Sequence, residues 1–129
     1  MIGSLSPYSS LYLQALGLGS LVLLGIPLVV APMAWGRALR WPLPAETRLA
    51  VYLGRCLGSV ICVLAVFAFV AAATPGVQAF FFQIVLANVA LMVAVHAWGA
   101  VRRIQPTFET IETFAWLGLL VVGALCYPG

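Results

Sequence analysis

Apolar residues run along this chain in four long blocks, separated by three short breaks that carry proline, glycine and arginine. The blocks cover Leu11–Trp35, Leu49–Ala73, Val77–Val101 and about Pro106–Tyr127. Each is close to the roughly 20 residues a helix needs to cross a hydrocarbon layer about 30 Å thick. None shows the alternation of a barrel strand, and a helix satisfies its backbone within one segment, as lipid requires. The breaks hold residues that stop helices: Gly36, Pro42 and Pro44 in the first, Thr74-Pro75-Gly76 in the second, and Arg102 to Gln105 before Pro106 in the third. Links this short make consecutive helices antiparallel neighbours. The pattern predicts an all-α integral membrane four-helix bundle, up-down-up-down, forming one transmembrane domain over residues 1–129. Pro27 and Pro32 are expected to bend the first helix, because each removes a backbone donor.

Composition agrees with this pattern and narrows the class. The chain is 64% hydrophobic and 7% charged, against roughly 25% charged in soluble domains. Six arginines, three glutamates, one histidine and no lysine or aspartate give a net charge of +3. That excludes a water-soluble enzyme and a nucleic-acid binder. Positive residues in short loops stay on the cytoplasmic side. Arg37, Arg40 and Arg48 lie in or beside the first break and Arg102 and Arg103 in the third, while the second break and both tails have none. Both termini are therefore expected to be non-cytoplasmic, in the inner membrane of a bacterium. Trp35, Trp41 and Trp98 would lie near the cytoplasmic boundary, and Tyr8, Tyr12, Phe80, Phe81, Phe82 and Tyr127 near the other. No cleaved signal peptide is expected, since the first ten residues carry no positive charge and the first apolar block is too long.

The few polar residues inside the spans are the candidate chemistry, because an ionisable group there faces the bundle interior or a cavity and finds a partner. Arg55 stands early in the second helix between Gly54 and Gly58, a G-x-x-x-G that lets another backbone approach. It either snorkels or pairs structurally, or its guanidinium holds an anionic or carbonyl-bearing ligand. On the third helix, Asn88, Met92 and His96 recur at helical spacing. The fourth opens with the densest polar segment, in which Gln105 precedes Glu109 and Glu112, with Trp116 on their face. Connectivity puts Arg55, His96, Gln105, Glu109 and Glu112 at similar depth, so they form the candidate ligand-binding site or polar network. In its default reading Arg55 pairs with Glu109 or Glu112, and His96 joins that network.

No catalytic residue and no metal are assigned. A di-metal bundle needs about four carboxylates and two histidines, and haem would need an axial ligand from another subunit. Cys56, Cys62 and Cys126 read as free thiols acting as small apolar residues. In the other half only Gln14, Gln83 and the tails are polar, so no charged path crosses the membrane.

The segment Leu53-Gly54-Arg55-Cys56-Leu57-Gly58, set among four short spans, resembles the DoxX-like small four-helix membrane proteins. In that group the arginine helix usually comes first, whereas here it is second. The resemblance implies a quinone-linked role in a membrane redox complex and bears on Arg55, Gly54 and Gly58. The leading expectation is an accessory or structural subunit of a larger membrane complex, respiratory or otherwise redox, with small-residue faces such as Gly17 and Gly54–Gly58 packing helices. An alternative is a quinone- or lipid-headgroup-binding protein or enzyme, with a cytoplasmic-side polar pocket and quinone or lipid as the bound group. An oligomeric transporter or channel is the third. Expected partners are the lipid bilayer and other membrane subunits or further copies of the chain, with no nucleic acid.

Overall fold

A computed structural model describes residues 2–129, and every regular element in them is helical. A 3-10 turn, Ser6–Tyr8, leads into α1 (Ser9–Ser20). A π turn, Leu21–Gly25, connects α1 to α2 (Ile26–Val30), and α3 (Pro32–Ala38), α4 (Arg48–Ala73), α5 (Pro75–Arg102) and α6 (Thr107–Leu125) follow. Among these residues, four stretches are long and apolar enough to cross a membrane: Ser6–Val30, Arg48–Ala73, Pro75–Arg102 and Thr107–Leu125. The chain thus fits a helical membrane protein.

The first span begins before the apolar block and stops at Val30, short of Trp35. Proline causes the stop. Ala31, ahead of Pro32, takes φ −144° and ψ 61°, since the pyrrolidine ring disfavours the helical region for the residue before it. Pro27 acts differently. It has no N–H to offer the Leu23 carbonyl one turn back, and the Trp35 indole N–H donates to that oxygen at 2.8 Å. A helix expected to bend is therefore interrupted by a π turn and then cut.

The chain divides into two units, Leu13–Val70 and Met1–Tyr12 with Ala71–Gly129. In the first, glycines bring α1 and α2 against α4. A Cβ on Gly17 would lie 3.1 Å from Cβ of Ala68, one on Gly25 2.8 Å from Sγ of Cys62, one on Gly58 2.8 Å from Cβ of Leu28, and one on Gly54 2.7 Å from Cβ of Pro32. The partner's number falls as the glycine's rises, so the segments run antiparallel. Gly54 and Gly58 thus admit a backbone of this same chain.

In the second unit α5 and α6 form a hairpin. Arg103 ends α5 in the left-handed region, φ 55°, where glycine is usual. Its N–H reaches the Ala100 carbonyl at 3.1 Å and that of Ile104 reaches Gly99 at 3.1 Å, which closes a Schellman turn. Arg40 does the same after α3 at φ 64°, so Gly36, expected to stop a helix, lies inside α3. At the far end of the hairpin Phe82 is fully enclosed, stacked on Tyr12 at 5.5 Å and edge-on to Tyr127 at 5.9 Å. The Tyr12 hydroxyl donates to the Leu119 carbonyl at 2.9 Å through the slot left by Gly123, where a Cβ would come within 2.7 Å of the Tyr12 hydroxyl oxygen. Gln78, overlooked in the sequence, is buried there. It donates to the Ser10 hydroxyl at 2.8 Å and the Ala72 carbonyl at 3.2 Å, tying the start of α1 to the α4–α5 turn.

Candidate functional site

His96 sits on the buried side of α5, one and a half turns before the Schellman turn, and Glu109 lies in the first turn of α6 across the hairpin. The short link turns α6 back along α5, which brings the imidazole against the carboxylate. Nε2 of His96 is 3.1 Å from one Glu109 oxygen and 3.7 Å from one Glu112 oxygen. The two glutamates, one turn apart on α6, converge on the same ring nitrogen. His96 and Glu109 side chains are 7% and 11% exposed, whereas Glu112 at 27% opens toward the surroundings. Ligand atoms of all three lie within 4.8 Å of one another.

The other ring nitrogen settles where the imidazole proton resides. Nδ1 is 2.8 Å from the Met92 carbonyl oxygen, and a carbonyl can only accept. Nδ1 therefore carries a hydrogen, and Nε2 is the variable atom: it either donates to a carboxylate as imidazolium or presents a lone pair. One proton can pass between Nε2 and Glu109 without either side chain changing rotamer. With both side chains nearly closed to solvent, water competes little for that bond, so it is strong when made and costly when broken.

Gln105 holds the geometry from the link. Its side-chain N–H groups reach the His96 carbonyl at 2.9 Å and the Thr110 hydroxyl at 3.3 Å. The side chain lies flat over Gly99, and a Cβ there would run into Oε1 and approach Cδ to 2.8 Å. Trp116 closes the site on the α6 side, its ring 5.8 Å from the imidazole. Thr113, on the same stripe of α6, has a buried Oγ1 with no hydrogen-bond partner among the described residues. At the rim the Arg102 guanidinium stacks on Trp98 at 5.3 Å from the ring centre, a cation–π contact suited to an interfacial position.

Of the residues singled out in the sequence, His96, Gln105, Glu109 and Glu112 come together. Arg55 belongs to the other unit, on an exposed part of α4, where its own carbonyl accepts the Ser59 hydroxyl at 2.8 Å. Asn88 faces outward at the middle of α5 while His96 is buried, so the polar spacing read along that helix does not form one inward stripe. Cys56, Cys62 and Cys126 are free thiols, Cys126 buried. The Met92 carbonyl escaped the sequence, since no side-chain pattern marks a backbone acceptor. Neither a protein-family model, nor a curated protein, nor a solved structure matches this chain.

Proposed function

We propose that this chain is an integral membrane protein of a bacterial inner membrane, up-down-up-down with both termini non-cytoplasmic, whose working part is a ligand site built on His96, Glu109 and Glu112. The observation that carries this is the direction of Nε2: the ring is anchored through Nδ1, and its second nitrogen is aimed at two carboxylates. Such a group binds a polar or charged species and exchanges one proton as it does so. Arg102 and Arg103, in the same α5–α6 link, support a cytoplasmic-facing site. Quinone and lipid headgroup are organic candidates for the bound species.

A second reading, an accessory subunit of a larger membrane complex, is favoured by Asn88. Its amide faces outward halfway along α5, and no hydrogen bond to it occurs among the described residues. An amide facing lipid is satisfied by pairing with another helix, worth about 0.6–2 kcal/mol. The small-residue faces favour this reading less, because Gly17, Gly25, Gly54 and Gly58 are used inside the chain.

Native mass spectrometry of the protein extracted from its own membrane tests both readings. The ligand-site reading expects a bound non-protein mass that disappears in the Glu109→Gln variant, and a bare chain overturns it. The subunit reading expects a stoichiometric protein partner or a second copy that Asn88→Leu releases. A monomer in both forms overturns that one.

A further inference from the structure

We infer that the His96–Glu109–Glu112 cluster is a binding site for a divalent first-row transition-metal ion, with Zn2+ the ion its donor set fits best. This rests on the ligand-site reading above and names its ligand.

Three independent features converge. The first is spacing. Zinc holds imidazole nitrogen and carboxylate oxygen at about 2.0–2.2 Å, so two donors of one ion stand roughly 3.0–3.4 Å apart at tetrahedral or octahedral angles. Of the observed separations from Nε2, 3.1 Å lies within that range and 3.7 Å just beyond it. The rotatable arms of Glu109 and Glu112 close the remainder.

The second is the outer contact of the histidine. A metal-bound imidazole almost always donates its other ring N–H to a carbonyl or carboxylate, which fixes the tautomer and leaves a lone pair for the ion. His96 does this with Met92 at 2.8 Å.

The third is charge. Two carboxylates beside one imidazole at the end of a span carry net negative charge when the ring is neutral, and a divalent cation neutralises it locally. One nitrogen and two oxygens without thiolate select zinc, manganese or iron(II) over copper(I), and the nitrogen counts against calcium and magnesium. Three protein donors leave a position for water or a substrate atom. Glu112, the most exposed of the three, marks the side from which an ion enters.

Cobalt(II) serves as the spectroscopic probe, added to the full chain in detergent after chelator treatment and removal of any histidine tag. The expected result is one saturable site per chain, with visible d–d bands, no thiolate charge-transfer band, and displacement by Zn2+. Loss of an outer-shell partner already weakens such sites about 10- to 100-fold. Glu112→Gln removes a donor outright, so it should weaken binding by more than about tenfold while helicity and elution stay unchanged. Glu46→Gln, in the first loop, should leave binding as it is. Binding that Glu112→Gln and His96→Gln leave untouched overturns the assignment. If cobalt finds no saturable site while native mass spectrometry retains another species lost in Glu109→Gln, the metal assignment falls and the ligand site stands. If neither probe finds an occupant, both fall.

Discussion

Valine in place of Gly58 is expected to push α2 away from α4 and to cost more stability than any other single change in Leu13–Val70. A Cβ at this position meets Cβ of Leu28 and the backbone nitrogen of Val29 at 2.8 Å each, and the Gly25 carbonyl oxygen at 2.9 Å. Two of these atoms belong to the main chain, so no rotamer change relieves the clash and one helix must move. Overpacking of this kind costs about 1–3 kcal/mol, and the upper end applies because the displacement also opens the neighbouring contacts of Gly25 and Gly54. Gly19, by contrast, has no atom within 4 Å of such a Cβ, so Gly19→Val should be close to neutral. Unfolding midpoints of the two variants in the same detergent give the comparison. Equal midpoints would mean that α2 and α4 do not meet as described.

The second large effect concerns His96. Substitution by alanine leaves Glu109 and Glu112 facing one another across the space the ring filled, within a site only 7–11% exposed at the His96 and Glu109 side chains. Removing one partner of a buried ionic contact costs about 3–5 kcal/mol, whereas replacing all members by apolar groups of similar size is often neutral. His96→Ala should therefore lower stability by about 3 kcal/mol. The combination of His96→Leu, Glu109→Leu and Glu112→Leu should recover most of that loss while abolishing ligand or metal retention. Chemical unfolding of the three forms checks the first part. A triple variant as unstable as the single one would make the polar cluster an obligate structural element.

How much of this could be read beforehand follows from which forces leave a trace in side-chain pattern. The spans were legible because lipid demands long apolar runs, and the neighbourhood of His96 and Glu109 was legible because a short link makes consecutive helices antiparallel neighbours. The glycines of α4 announced a close approach, but not that α1 and α2 of the same chain supply the partner. What lay hidden depends on the backbone. Arg40 and Arg103 occupy left-handed positions that glycine usually marks, so Gly36 misled as a stop. The interruption after Ser20 combines Pro27 with an indole from fifteen residues beyond Ser20, Trp35, and periodicity records neither. Gln78 was overlooked, although it anchors the α4–α5 turn. Within the site, the decisive contact is Nδ1 to the Met92 carbonyl, and only three-dimensional structure reveals it.

His96 keeps its proton on Nδ1 and turns Nε2 toward Glu109 and Glu112. The chain contains a single histidine, so 15N magic-angle-spinning NMR of histidine-labelled protein in bilayers reads that ring without overlap. The expected spectrum has a protonated Nδ1 in every state, with only Nε2 moving as the site loses a proton or takes up Zn2+. A ring protonated on Nε2 with a bare Nδ1 would contradict it.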